Sequence, residues 1–318
     1  MNSVYVDSFR YALGERKCHV SDSAAAGRLI STSEELQAAG FRWHYMCEPG
    51  TTAYDLASAA VRPIADQAAG ADAIVYATCL PLNANLGSTD EWVATRDVKH
   101  LMDFPVSRLQ ADFGLDRAIA VGLNQQACTS MLGSLRIAAA LLGSEPDWER
   151  VLCVTADRFP ANASYEQAYN LISDGAAACV VTRQPGEGAF RLVTSHQITN
   201  GGLGQATDDE TVGSYFSYMH RLITQTLKRA DMAAADLDWV VTQNTNDAAW
   251  AVLARVFGID LDKVVTTTLP DAGHVISADN VLNLTALAET GRIKSGDRLL
   301  LTMAGFGLNW QATILEAL

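Results

Sequence analysis

At 318 residues the chain has room for one large domain or two of ordinary size; 49% of its residues are apolar and 19% charged, a balance that builds an extended core and argues against wholesale disorder. A net charge of −13 argues against a general nucleic-acid binder, which would carry a basic stripe. Cys18, Cys47, Cys79, Cys128, Cys153 and Cys179 are scattered without CxxC pairs, so neither a metal site nor a disulfide framework is expected, and reduced thiols in a cytoplasm are the simpler reading.

The first seventeen residues lack a basic stretch followed by an apolar core, so no signal peptide is expected. No run of eighteen apolar residues follows, so no membrane span is expected either. Residues 53–69 pattern as a helix interrupted by Pro63 and lead into the apolar run ADAIVYATC, which ends at Cys79. A second helix, SMLGSLRIAAALLGS, follows Cys128 and leads into the strand-like RVLCVTA. The order then recurs. SYFSYMHRLITQTLKRADM leads into DLDWVVTQN, and VISADNVLNLTALAET follows His274 and leads into DRLLLTM.

Short β-branched runs alternating with helices read as parallel strands with right-handed crossovers, and runs as continuously apolar as VLCVT and LLLT read as strands buried on both faces. The repeated order predicts an α/β fold of two similar halves, residues 1–185 and 186–318, joined near TRQPGEGAF. Cys128 and His274 each precede the second helix of their half. A pseudo-twofold packing of the halves would bring them together at the centre.

Cys128 lies where the strand-like AIAVGL gives way to a helix. A thiol there faces unpaired N–H groups and the positive end of the helix dipole, both of which favour thiolate and can hold a thioester oxyanion. A buried structural cysteine fits the same position. His274 with Asp279 five residues later supplies a base and a carboxylate to orient it, although, taken one by one, a loop histidine and a helix-capping aspartate are the plainer explanations. Gly305 and Gly307 offer unobstructed backbone N–H groups, as glycines in any turn do.

Five segments in order, QQACTSMLGSLRIAAALL, ISDGAAACVV, LDWVVTQNTN, AGHVISAD and GRIKSGDRLLLTMAGFGLNW, resemble ketoacyl-acyl-carrier-protein synthase III. The resemblance implies a thiolase fold with five αβαβα layers, a nucleophile at Cys128 and oxyanion donors in the backbone N–H groups of Cys128 and Gly307. Condensing members of that family carry a histidine and an asparagine that hold a malonyl thioester while carbon dioxide leaves. This chain has Gln243 at the histidine position and His274 at the asparagine position. The swap is similar to an acyltransferase branch of the family found in polyketide-type secondary metabolism. It implies a Cys128–His274–Asp279 triad transferring an acyl group to an alcohol, amine or thiol, with Gln243 and Asn246 as substrate contacts. The competing readings are a decarboxylating condensing enzyme, with Asn246 and His274 replacing the usual pair, and a non-catalytic partner of an active homologue.

Relatives that use coenzyme A clamp its adenine with a Trp-x-x-x-Arg spacing. Here that stretch holds Glu34 and Glu35, with Trp43 beyond the expected place. The resemblance therefore implies no bound cofactor and a phosphopantetheine thioester as donor, on an acyl carrier protein in preference to coenzyme A. Arg221, Lys228, Arg229 and Arg255 are the basic residues expected to meet an acidic carrier. The resemblance also implies a homodimer, and Trp92, Leu101 and Phe104 are apolar residues that need burial.

Overall fold

The computed structural model describes residues 3–318. In the first half, β1 (Tyr5–Leu13) is followed by a hairpin of β2 (Arg16–His19) and β3 (Trp43–Met46), then by β4 (Ala73–Ala77), β5 (Ile119–Leu123) and β6 (Arg150–Asp157). A small hairpin, β7 (Glu166–Gln167) and β8 (Asn170–Leu171), precedes β9 (Gly175–Thr182). The second half contains β10 (Phe190–Thr199), β11 (Trp239–Val241), β12 (Val264–Val265), β13 (Arg298–Gly305) and β14 (Asn309–Ala317).

Ten of these strands form a continuous sheet in the order β12-β11-β13-β14-β10-β1-β9-β6-β4-β5. The seam between β10 and β1 consists of two residue pairs, Tyr5 with Arg191 and Val6 with Phe190. On either side of it the strand order is the same, with β1, β9, β6, β4 and β5 matching β10, β14, β13, β11 and β12. The chain crosses from one set to the other between Thr182 and Phe190.

Not every strand is parallel, as the sequence reading had them. β4 runs parallel to β5 and β6, and β11 to β12 and β13, but β6–β9, β9–β1, β13–β14 and β14–β10 are antiparallel. Only three residues separate β13 from β14, too few for a crossover, so the chain must return antiparallel.

Helices Ser130–Ser144 and Asp279–Glu289 fill the space between the two strand sets, each touching strands of both. Helix Ala53–Val61 covers the outer face of the first set; Asp208–Arg229 and Asp247–Phe257 cover the second. The result is five layers, αβαβα. The helix expected over residues 53–69 breaks as its proline requires, into Ala53–Val61, a 3-10 turn at Arg62–Ile64 and a last turn at Ala65–Ala68. The stretch Ala127–Ser144 has a mean hydropathy of 1.3, enough by composition for a membrane span, but 61% of it is buried between the sheets. A helix packed on both flanks is hydrophobic all round for that reason.

The two central helices start side by side. Ser130 Oγ lies 2.7 Å from Ser277 Oγ, and Ser277 Oγ donates to the carbonyl of Ala127 at 3.2 Å. Just before each start, a non-glycine residue takes a left-handed conformation, Ala127 with φ 46° and Ile276 with φ 49°. Strain of this kind persists where surrounding packing over-determines the backbone. Ala127 directly precedes Cys128, and Ile276 lies two residues after His274.

Candidate active site

Cys128 belongs to a 3-10 turn, Ala127–Thr129, that opens helix Ser130–Ser144. His274 is held by its backbone, which donates to the Leu171 carbonyl at 2.7 Å and accepts from the Ser173 N–H at 2.9 Å. These contacts bring His274 Nε2 to 3.4 Å from Cys128 Sγ across 146 residues of sequence.

On the other side of the ring, Nδ1 donates to Asp279 Oδ2 at 2.5 Å. That carboxylate also accepts from the backbone N–H of Asn244 at 2.7 Å and of Val275 at 2.6 Å. Asp279 is the first residue of its helix, yet none of these donors lies in the helix, so it is not a capping residue. Its place is to orient His274.

Cys128 and His274 form a charge pair. A hydrogen bond from the Cys79 thiol holds Cys128 well below the ordinary thiol range; burial opposes this, and the positive charge of His274 assists it. For His274, burial works to lower the pKa, but Asp279 and the Cys128 thiolate overcome it and raise the imidazole above its usual range. Cys79 keeps its own proton because it is the donor to Cys128.

The sequence reading had not singled out Cys79. It lies 49 residues before the nucleophile, and only the parallel pairing of β4 with β6 places its loop there, fixed by a bond from its N–H to buried Asp157 at 2.8 Å. Replacing Cys79 with Ala should move the pH midpoint of Cys128 alkylation by iodoacetamide upward by about one unit, since a donor to the thiolate is lost. An unchanged midpoint would remove Cys79 from the site.

The pair opens into a cavity of about 430 Å³ whose walls come from the β7–β8 hairpin, the first turns of helix Asp208–Arg229, the start of helix Asp247–Phe257 and the turn after β13. Apart from the Cys128–His274 pair, no residue lining it is charged.

Gln243 lines the cavity, and its carboxamide is braced on the Ala304 backbone. Nε2 donates to the Ala304 carbonyl at 3.0 Å, and Oε1 accepts from the Ala304 N–H at 2.8 Å. It braces the wall, and its Nε2 comes only to 3.5 Å from His274 Nε2. Asn246 also lines the cavity, with its Oδ1 capping helix Asp247–Phe257 through the Ala248 N–H at 2.8 Å. A network that the sequence did not reveal holds this loop: Asn244 Nδ2 donates to Thr268 Oγ1 at 2.9 Å and to the Gly273 carbonyl at 2.8 Å, and Asn283 Nδ2 donates to Asn244 Oδ1 at 2.8 Å.

Two expectations need correction. The glycine beside the nucleophile is Gly305: a Cβ there would stand 2.7 Å from the Cys128 backbone nitrogen. Gly307 lies in the loop between β13 and β14, turned toward Asn309, and does not line the cavity. The second expectation concerned basic residues, and none of the four lines the cavity. Lys228 and Arg229 occupy the last turn of their helix, about 18–20 Å along its axis from Phe216 in the cavity wall, where they complement the helix dipole. Arg221 and Arg229 face His196 together with Arg136, and Arg255 is exposed on helix Asp247–Phe257. The first turn of Asp208–Arg229, nearest the cavity, is acidic, with Asp208, Asp209 and Glu210. An acidic carrier meets repulsion there, so these four residues do not form a basic rim at the mouth.

Trp43 sits on the β2–β3 hairpin, with Lys17 Nζ 5.2 Å from its ring centre, and is not a cavity residue. Among the described residues no group of three His, Cys, Asp or Glu side chains is placed to hold a metal ion.

Residues 124–201 match the family model described as 3-oxoacyl-[acyl-carrier-protein] synthase III, and residues 227–317 match its C-terminal model. A beta-ketoacyl-[acyl-carrier-protein] synthase III from Agrobacterium fabrum is 27% identical over 91% of this chain and 92% of its own. One from Ruegeria pomeroyi is 28% identical over 93% and 94%. Among solved structures, the 3-oxoacyl-(acyl carrier protein) synthase III of Pseudomonas aeruginosa superposes with a TM-score of 0.81 at 21% identity, covering 99% of this chain and 98% of that one. The acyltransferase ChlB3 superposes equally well, with a TM-score of 0.81 at 19% identity over 99% and 98%.

Proposed function

We propose, for a chain that belongs to the ketoacyl-acyl-carrier-protein synthase III-like enzymes of the thiolase superfamily, that Cys128, His274 and Asp279 carry an acyl group from a thioester to an alcohol, amine or thiol. The observation that carries the reading is the unbroken relay from Cys128 Sγ through His274 to Asp279, at 3.4 Å and 2.5 Å.

In the resting pair the thiolate of Cys128 attacks the donor carbonyl, and the departing thiol takes the proton from His274 Nε2. Acylation removes the negative charge beside His274 and leaves Nε2 with a free lone pair. The acceptor gives its proton to Nε2 as it attacks the acyl carbon. The carbon–sulfur bond breaks, its electrons return to Cys128, and the thiolate–imidazolium pair is restored. Asp279 fixes the tautomer throughout. The donor is a phosphopantetheine-type thioester, on a carrier protein or coenzyme A, and no cofactor stays bound.

Condensation fits this site less well. It needs two donors held on one thioester carbonyl, and here Gln243 is braced against Ala304 through one N–H and its oxygen, while His274, backed by Asp279 at Nδ1, is placed as a base. A catalytically silent subunit would not keep a saturated carboxylate behind the histidine of a thiolate pair. A malonyl thioester is the discriminating substrate, since condensation releases carbon dioxide from it and simple transfer does not.

We also propose a homodimer. β5 is the edge strand of the sheet and exposes Ile119, while Val98, Met102 and Phe104 of the preceding segment are exposed at 57%, 52% and 49%. An open apolar strand edge of this kind is a pairing surface. Light scattering at micromolar concentration should give twice the chain mass, and Ile119→Lys should shift it toward one; a wild-type monomer would refute the dimer.

A further inference from the structure

The peptide that joins Ala127 to Cys128 has two donors on its carbonyl. One is the Ser130 N–H, which closes the 3-10 turn, and the other is Ser277 Oγ at 3.2 Å. Ser277 comes from the other half of the fold, three residues after His274. A serine hydroxyl has one proton and a carbonyl can only accept, so that proton is spent on Ala127. The 2.7 Å contact between Ser130 Oγ and Ser277 Oγ therefore has Ser130 as its donor. Both serines are buried, where a hydrogen bond is stronger than in water. The N–H of the same peptide is that of Cys128. Thr129 and Ser130 give their N–H groups to the carbonyls of Gln126 and Ala127, while the Cys128 N–H has no acceptor among the described residues. Gly305 leaves room beside it, since a Cβ there would stand 2.7 Å from the Cys128 nitrogen. Cys128 and Gly305 both line the cavity.

We infer that Ser277 and Ser130 are positioning residues that polarise the Ala127–Cys128 peptide, whose N–H receives the thioester oxygen as Cys128 attacks; this rests on Cys128 as the acyl-carrying nucleophile. When the thiolate forms its bond to the acyl carbon, the carbonyl π electrons move onto oxygen and need a donor there. A peptide is conjugated, so a donor on its oxygen draws electrons from its nitrogen and makes the N–H a stronger donor. The order is Ser130 O–H to Ser277 Oγ, Ser277 O–H to the Ala127 carbonyl, and Cys128 N–H to the oxyanion. Each bond strengthens the next. Neither serine lines the cavity, so both act through the peptide. The chain also joins the two halves of the fold, so the turn that follows His274 tunes the donor that serves Cys128.

Attack on a thioester builds an oxyanion, whereas alkylation of the same thiolate by iodoacetamide does not. Both rates are measured in the pH range where Cys128 is thiolate, with acetyl-N-acetylcysteamine as the thioester. Ser277→Ala should slow acylation at saturating thioester about three- to ten-fold, the scale of one hydrogen bond. The half-saturating concentration and the alkylation rate should stay as in the wild type. Discharge of the acetyl-enzyme by mercaptoethanol passes through the same oxyanion and should slow by the same factor. Ser130→Ala leaves the Ser277 bond in place and should give a smaller loss of the same kind. Ser134 is equally buried and donates to the Ser130 backbone carbonyl at 2.8 Å, so Ser134→Ala should keep the wild-type ratio of acylation to alkylation. That ratio, taken within each variant, cancels general loss of fold or of thiolate. Should Ser277→Ala not fold, Ser130→Ala decides by the same ratio. Alkylation slowed as much as acylation, or neither slowed, would make the two serines packing residues and overturn the inference, leaving the acyl-enzyme standing. A wild type that takes no acetyl adduct on Cys128 would refute the nucleophile reading and the inference with it.

Discussion

His274→Ala should slow discharge of the acyl-enzyme by about 10²–10⁴-fold, the usual loss when a positioned general base is removed, and slow formation of the acyl-enzyme much less. The difference follows from what supports the thiolate. Cys128 is stabilised first by the Cys79 thiol, which the substitution leaves in place, and only then by His274. Once Cys128 is acylated, its anion no longer holds His274 high, so the base becomes free at lower pH than in the resting enzyme. Wild-type discharge should therefore rise with pH to a plateau, and this rise should vanish in His274→Ala. Rapid-quench sampling with intact-protein mass spectrometry separates the two steps. Equal slowing of both would place His274 in activation of the thiol alone.

Cys128→Ala should abolish the acyl adduct altogether. The other buried thiols are poor substitutes. Cys153 and Cys179 face each other across β6 and β9 without solvent exposure, and Cys179 is raised well above the thiol range by its bond to Cys153 and by burial. Burial likewise pushes Cys47 up, with Asp174 adding to the shift. Cys79 is the one other thiol at the site, and without the Cys128 thiolate beside it there is no anion to which it can donate. Peptide mapping after exposure to an acyl thioester should find the acyl mass on Cys128 in the wild type and on no cysteine in the variant. Acyl mass on Cys153 or Cys179 would contradict the assignment.

The fold was legible because the chain states it twice. Two runs of helix, strand, loop, helix and strand predicted two matching strand orders, and the matching positions of Cys128 and His274 predicted their meeting at the centre. The Cys128–His274–Asp279 relay was legible only as a set. Taken singly, each member had a plainer explanation, and the capping role for Asp279 fails only because its donors are His274, Asn244 and Val275, all outside its helix.

Contacts made between distant loops were out of reach. Cys79 is brought to Cys128 by a strand pairing, and Gln243 is locked to Ala304 by a backbone that the sequence does not orient. Gly305 displaces Gly307 because the pairing of β13 with β14 reaches Gly305 before the chain turns. Arg221, Lys228 and Arg229 lie on one helix, yet the sequence could not show that the cavity lies at its opposite, acidic end.

The central claim is that this site transfers acyl groups without making carbon–carbon bonds. It is tested most directly by presenting acyl-Cys128 enzyme with a malonyl thioester labelled at its free carboxyl group, beside a simple alcohol or thiol acceptor, and counting released carbon dioxide against transferred acyl. Gln243 is braced against Ala304 and Asp279 sets His274 as a base, so acyl should leave for the simple acceptor and labelled carbon dioxide should stay at the background of uncatalysed decay. Release of labelled carbon dioxide with a β-keto product, at a rate matching the best transfer, would contradict the account.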